Sequence, residues 1–183
     1  MTIEPRPMLT HMAIFVHDLD RMVDFYTRVM GLTISDRGSA TTAPVDMVFL
    51  SNDPGEHHQF VLATGRPDYA SFSIAQQISF LVNDLDELRT MHDRVKGDGM
   101  EITRTTTHGN AWSVYFNDPE GNRIEIYVHT PWHIPQPHTH PLDISLSNEE
   151  IMAETEAHCQ EDPGFQPMAE REEVMAQRIE KAD

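Results

Sequence analysis

Three histidine positions and one glutamate give this chain its clearest chemical possibilities. His11 opens the apolar run MAIFV, His57 and His58 stand side by side in DPGEHHQFVLATG, and Glu125 sits between isoleucines in NRIEIYV. Neutral imidazole plus carboxylate is the ligand set of non-haem Fe(II) and related divalent ions, and two His with one acid on one face leave positions open for substrate and oxygen. His11, one of His57 and His58, and Glu125 can make that set. Each also has a plainer reading: a polar strand start, two loop residues after a turn, and an ion-paired carboxylate. His108, in TTTHGNAW, precedes the strand that carries Tyr115. Imidazole titrates near neutrality, so His108 can exchange protons with a bound phenol or oxygen, or can simply stabilise the turn before Gly109. His133, His138 and His140 lie among prolines in PWHIPQPHTHP, which makes that stretch an extended loop rather than a metal box.

The elements that must position these residues come as a repeat. THMAIFVHDLDRMVDFYTRVMGL, from Thr10, reads as a strand, a turn and a helix with Met22, Phe25, Tyr26, Val29 and Met30 on one face, ended by Gly31. QQISFLVNDLDELRTMHDRVKGDGM, from Gln76, repeats the plan with Leu88, Met91 and Val95 on its helical face. The Asp-Leu-Asp turns begin at Asp18 and Asp84, an offset of 84 − 18 = 66 residues. Three strand-like runs follow each helix. The chain is therefore expected to be α+β, with two tandem βαβββ modules, about 9–65 and 76–131, forming a cupped mixed sheet around a central metal cavity. That domain spans 1–131, and 132–183 holds a Pro-rich segment and an acidic helical tail.

Strand alternation then assigns faces. Ile124, Ile126 and Val128 suit the helix side, which turns Glu125 and Tyr127 inward; Tyr115 shares a face with Ser113. Phe60 and Leu62 suit the helix side of the first module, placing His57, Gln59 and Val61 in the cup. His58 then points to the rim or the helix layer unless a bulge near Gly55 reverses the phase. The 66-residue offset pairs His11 with Gln77. In the tail, Ser147 with Glu150 is a capping box, Pro163-Gly164 stops that helix, and a second runs from about Met168 to Ala182. Ile151, Met152, Met168, Val174, Met175 and Ile179 are available there for packing on the body or on another subunit.

Composition narrows the partners. The 183 residues are 39% hydrophobic, enough for a packed core, and the formal charge of −17 lacks the clustered cations that nucleic acid requires. From Ser147 onward there are 11 acidic and 3 basic residues, so the tail is a separate compositional unit. No run approaches the ~18 apolar residues of a membrane span. The single cysteine, Cys159, excludes an intramolecular disulfide, and a cytoplasmic, homo-oligomeric protein is expected.

THMAIFVHDLDRMVDFYTRVMGL, DPGEHHQFVLATGRP and HGNAWSVYFNDPEGNRIEIYVHTPW resemble the vicinal oxygen chelate superfamily, which includes glyoxalase I, fosfomycin-resistance enzymes and bleomycin-resistance proteins. Within it, the chain is most similar to single-domain type I extradiol dioxygenases of the catechol or 2,3-dihydroxybiphenyl kind, over about Leu9 to Pro131. The resemblance implies Fe(II) held by two His and one Glu, a small aromatic diol chelating the metal, O2 bound beside it, and ring cleavage next to the diol. It places the first-strand ligand on His11, the last-strand ligand on Glu125, the active-site tyrosine ten residues earlier on Tyr115, and a substrate-contacting histidine on His108. Two positions depart from the pattern. Gln77 stands where larger members carry their second histidine ligand, and Ser51 lies near where they carry an acid–base histidine. Either His57 or His58 supplies the second imidazole, or Gln77 coordinates through its amide oxygen as in some glyoxalases. The latter set implies a lyase or isomerase using Mn2+, Zn2+ or Ni2+. A non-catalytic, drug-sequestering binding protein is the third possibility.

Overall fold

The computed structural model describes residues 6–41 and 43–181, which divide into two compact units. The first comprises the chain up to Gln76 together with Asn117–Arg123; the second comprises Gln77–Phe116 and the chain from Ile124.

The first unit contains β1 (Met12–Val16), α1 (Leu19–Asp24) continued by a π-helical turn (Phe25–Val29), β2 (Thr33–Ser39), β3 (Asp46–Ser51) and β4 (Phe60–Thr64). Its sheet runs β1-β4-β3-β2, with β1 parallel to β4. The second contains β5 (Ile78–Leu81), α2 (Leu85–Gly97), β6 (Ile102–Thr107), β7 (Ala111–Asn117) and β8 (Arg123–His129). Beyond them come β9 (Trp132–His133), β10 (His140–Pro141), α3 (Asn148–Cys159), β11 (Gln166–Pro167) and α4 (Met168–Lys181). Its sheet runs β10-β6-β7-β8-β5, so removing β10 leaves the order of the first sheet, again with the opening strand parallel to the last.

The repeat is therefore α+β and built as βαβββ twice. Its punctuation is the same in both copies. Asp18 Oδ1 accepts from the Arg21 N–H at 3.0 Å, and Asp84 Oδ1 from the Glu87 N–H at 2.8 Å, so each Asp caps the first turn of its helix. Met22, Tyr26 and Val29 are buried in the first unit along with Leu50, Phe60 and Leu62; Leu88 and Val95 are buried in the second along with Val114, Ile124 and Ile126. Period-two alternation thus delivers the apolar strand residues to the core, as expected. The first helix is not α-helical to its end: it widens to a π turn at Phe25 before Gly31, at φ +77°, terminates it. The first unit also buries an ion pair, with Arg66 Nη1 3.3 Å from Glu120 Oε2; Glu120 Oε1 accepts from the N–H groups of His17 and Asp18 at 2.8 Å each.

The tail segments pack unevenly in the second unit. Arg89 on α2 donates to the carbonyls of Ile144 and Leu146, and buried Trp112 donates through Nε1 to Thr155 on α3 at 2.8 Å. The capping box at Ser147 and Glu150 is present and Ile151 is buried. Among the described residues α4 has none buried, and Val174 and Ile179 stay 39% and 50% exposed, so this helix does not use its apolar residues to enter the core. The expected end of α4 at Ala182 lies outside the described residues. Among those residues no helix is long and apolar enough to cross a membrane.

Gly109 is the tightest glycine in the second unit. It sits at φ +76°, and a Cβ there would stand 2.5 Å from Ile134 Cγ2 and 3.0 Å from Cys159 Sγ. Gly109→Ala therefore imposes both backbone strain and overpacking beside His108. The expected result in chemical denaturation is a loss of about 1–3 kcal/mol, the ordinary cost of an overpacked core position.

Candidate functional site

The site residues fall into two clusters, one in each unit. In the first unit the two adjacent histidines do not belong to β4, which starts only at Phe60. An Asx turn precedes them, with Asp53 Oδ1 accepting from the Gly55 N–H at 2.8 Å, and Gln59 turns its amide oxygen to the Asn52 N–H at 3.0 Å. Strand alternation consequently does not govern His57 and His58, and both rings meet Phe49, at 5.6 and 5.1 Å between centroids. The expectation that His58 faces the rim or helix layer gives way to a placement against His11, with ring centroids 4.4 Å apart.

The hydrogen bonds distinguish the two neighbours. His57 Nδ1 and His58 Nδ1 are 2.9 Å apart, and His57 Nε2 lies 3.7 Å from Asp36 Oδ2. Both nitrogens of His57 are thus engaged. His11 uses Nδ1 toward Thr10 Oγ1 at 3.2 Å. Among the described residues, the Nε2 atoms of His11 and His58 have no hydrogen-bond partner, which leaves these two as the available donors of the cluster. Burial, and then the neighbouring His11 and His57, push the His58 imidazole below its ordinary range. A neutral ring is the form that can ligate a metal.

The second cluster is built on β5, β7 and β8 and lines a pocket of about 300 Å3 with Gln77, His108, Tyr115, Glu125, Tyr127 and Gln136 among its walls. Glu125 is 7% exposed and accepts three hydrogen bonds: Gln77 Nε2 and Ser79 Oγ donate to Oε2 at 2.6 Å each, and the Tyr115 hydroxyl donates to Oε1. The parallel register Ser79↔Glu125 puts the β5 donors opposite the acid. Because the Gln77 amide nitrogen faces Glu125 and Ser79, its amide oxygen is without a hydrogen-bond partner among the described residues.

Tyr115 extends the network. Its oxygen is 3.0 Å from His108 Nε2, while His108 Nδ1 is 2.8 Å from the His138 carbonyl, which can only accept. His108 therefore donates through Nδ1. A neutral His108 then leaves Nε2 as an acceptor, yet the one hydroxyl proton of Tyr115 is directed at Glu125. All three contacts are hydrogen bonds at once only when the His108-Tyr115-Glu125 chain holds three protons, one more than neutral histidine, phenol and carboxylate carry together. The chain can accept and release that proton without moving a heavy atom. Burial, and then the Glu125 carboxylate beside it, push the Tyr115 phenol up to about 12, so it stays a donor through the neutral range. The Arg104 guanidinium lies 4.6 Å from the centre of the Tyr115 ring.

The structure thus groups His11, His57 and His58 in one place and Gln77, His108, Tyr115 and Glu125 in another. The donor types in each cluster, imidazole nitrogen in the first and carboxylate and amide oxygen in the second, are ones that ligate divalent metals, although among the described residues no group of three or more His, Cys, Asp and Glu is arranged to hold one. Ser79, Gln136 and the His138 carbonyl are additions that sequence reading did not single out. Ser79 was findable, since it sits two residues after Gln77 on the same strand face; the His138 carbonyl was not, because it depends on how the Pro-rich segment folds back beside β6.

A family model for the Glyoxalase/Bleomycin resistance protein/Dioxygenase superfamily matches residues 8–126. Biphenyl-2,3-diol 1,2-dioxygenase 3 of Rhodococcus globerulus is 27% identical over 133 residues, covering 70% of this chain and 65% of that protein, slightly under two thirds of its length. A probable lactoylglutathione lyase of Vibrio cholerae is 23% identical over 121 residues, covering 64% of this chain and 88% of that one. Among solved structures, a glyoxylase/bleomycin resistance protein/dioxygenase domain from Frankia sp. EAN1pec superposes with a TM-score of 0.58 at 20% identity, covering 69% of this chain and all of that one; this similarity speaks to fold alone.

The hydrogen bond from Tyr115 to Glu125 gives a spectroscopic prediction. Burial first, and then the neighbouring Glu125 carboxylate, favour the protonated phenol and hold it above the usual ~10 of tyrosine. Glu125→Gln removes that charge. In an ultraviolet pH titration, with Tyr115→Phe used to assign the signal, the Tyr115 transition is expected to move down from about 12 toward the ordinary value; an unmoved transition would mean that burial alone sets it.

Proposed function

The chain belongs to the Glyoxalase/Bleomycin resistance protein/Dioxygenase superfamily, and from that membership we propose that it is an Fe(II)-dependent extradiol dioxygenase cleaving a small catecholic aromatic with O2. The observation that carries this reading is the Glu125-Tyr115-His108 chain. It attaches a group able to trade protons with a phenol directly to the carboxylate expected to bind metal. The biphenyl-diol dioxygenase among the relatives supports the same reaction class.

The ligand assignment goes with this reading and rests on donor type and free atoms, each taken within its own unit: Nε2 of His11 and Nε2 of His58 in the first, and the Glu125 carboxylate in the second. His57 then acts as the residue that orients His58, accepting from its Nδ1–H while its own Nε2–H faces Asp36, the kind of outer partner that fixes the tautomer of a ligating imidazole. Iron, if bound there, would supply a Lewis acid for a diol and a redox centre for O2. The protein's own residues do the rest. His108, held by the His138 carbonyl, takes a proton from the substrate hydroxyl and returns it to the product through Nε2. Tyr115 keeps its proton in the neutral range and donates it in the hydrogen bond to Glu125, which ties His108 to that carboxylate. Tyr127 and Gln136 form walls of the pocket.

The second reading is favoured by one observation: the amide oxygen of Gln77 is unengaged and sits on the residue beside Glu125. With Gln77 as a ligand, a lyase or isomerase using Mn2+, Zn2+ or Ni2+ would polarise substrate oxygens without consuming O2.

Oxygen uptake by anaerobically iron-loaded protein with a panel of catechols separates these readings. The dioxygenase predicts uptake equimolar with the diol, a yellow ring-cleavage product, and a kcat about 100- to 10,000-fold lower in His108→Gln, the range for loss of an acid–base group. Iron content should fall in His11→Ala, His58→Ala and Glu125→Ala and persist in His57→Ala. Absence of uptake, with metal lost in Gln77→Ala instead, would transfer the assignment to the lyase or isomerase class; no metal in any form would favour a binding protein.

A further inference from the structure

The second unit contains another pocket, of about 680 Å3, formed by α4 and the Pro-rich segment. It lies wholly on chain beyond residue 126, where the family match ends, except for Asn110. Its lining carries Arg171 and Arg178 from α4, His133, and the amides of Gln136 and Gln166, against a floor that includes Met168, Val174 and Met175.

Three features of this lining point the same way. Arg171 Nη1 is a buried side-chain atom without a hydrogen-bond partner. Buried donors are nearly always paired, and a guanidinium nitrogen is among the more costly groups to leave unpaired. Arg178 likewise has no ion-pair or hydrogen-bond partner among the described residues, although α4 carries four glutamates of its own. In a chain of net charge −17, two arginines drawn to one cavity without a carboxylate on either are an exception that needs a reason. Burial and then the Arg171 charge lower the His133 imidazole, which marks the interior as electropositive. Glu172 is the one acid of the lining, and among the described residues it makes no ion pair with Arg171 or Arg178.

We propose that this pocket is a binding site for a small organic carboxylate, its carboxyl group bridging Arg171 and Arg178 and its apolar body lying on Met168, Val174 and Met175. Guanidinium forks match a planar carboxylate in two-point hydrogen bonding, and the methionine and valine surface excludes a bare inorganic anion as the best fit. The volume is in the range of pockets for small molecules. Gln136 and Asn110 are shared with the pocket that contains Glu125, and Gln136 Nε2 bonds both the His108 carbonyl, at 2.8 Å, and Asn110 Oδ1, at 3.3 Å. One side chain thus forms a wall of both sites. The occupied carboxylate site is positioned to report to the loop that holds His108.

Isothermal titration calorimetry of metal-free protein with benzoate tests the assignment independently of any catalytic role. Saturable benzoate binding is expected, with benzyl alcohol and inorganic phosphate each at least about tenfold weaker, a difference of about 1.4 kcal/mol. Arg178→Gln, on an exposed side of the helix, and Arg171→Gln should each weaken benzoate by about tenfold or more, while Glu125→Gln and Tyr115→Phe leave it unchanged. No saturable binding of benzoate, equal binding of benzyl alcohol, or a loss in Glu125→Gln with none in Arg178→Gln would each overturn the proposal; the last would place benzoate in the other pocket.

Discussion

The arrangement of the second unit follows from one constraint, a carboxylate set inside a strand. Glu125 is 7% exposed, lies between Ile124 and Ile126, which are essentially inaccessible, and has no basic side chain paired with it among the described residues. An ionised carboxyl group cannot be taken from water into such a place without compensation. Three hydrogen-bond donors on or just before two neighbouring strands supply it. Ser79 comes from β5 through the parallel register with β8, Gln77 from the residue just before that strand, and Tyr115 from β7 on the other side of β8. The sheet order thus matters to chemistry as well as to packing: with β5 elsewhere, Glu125 would lose two of its three partners. With three bonds against four acceptor sites, the carboxylate keeps a lone pair to spare, which is what a ligand to a cation needs.

Fold was legible in this sequence because its signals are local and are stated twice. Asp18 and Asp84 cap their helices through the same atom to the same position, and the alternate apolar residues of NRIEIYV, Ile124, Ile126 and Val128, are all buried. The offset of 66 residues between Asp18 and Asp84 is also the offset between the first residues of β1 and β5, Met12 and Ile78. Candidate site residues were legible where they lie in strands. Glu125 and Tyr115 emerged from alternation, from the odd chemistry of an acid among isoleucines, and from a family resemblance. The histidine pair was less legible. The period of two does not extend backward from β4 into the Asx turn and irregular approach that precede it, where the side chains are oriented by Phe49, Asp36 and each other. What the sequence did not disclose at all was the carbonyl of His138, since no pattern predicts that a Pro-rich segment will return through β10 to pair with β6 and lend a backbone acceptor to His108.

Histidine placement also changes how the HH pair is understood. Two adjacent imidazoles look interchangeable in sequence, but their free atoms differ: His57 spends both nitrogens, on His58 and toward Asp36, while His58 keeps Nε2. A division between an orienting ring and an available ring is how metal sites commonly fix tautomers. In the second unit the equivalent work is done by His138, whose carbonyl sets the tautomer of His108. In each cluster a group with no direct part in the proposed chemistry decides which nitrogen of a histidine is free to act.

The central proposal is that Nε2 of His11 and Nε2 of His58, the free imidazole nitrogens of the first unit, serve one metal ion. X-ray absorption at the iron edge of anaerobically loaded protein reads it most directly, because imidazole carbons scatter in a pattern that carboxylates and water do not produce. The account predicts the signature of two imidazoles in wild type, reduced to one in either His11→Ala or His58→Ala and kept at two in His57→Ala. A single-imidazole spectrum that His58→Ala leaves unchanged would contradict it.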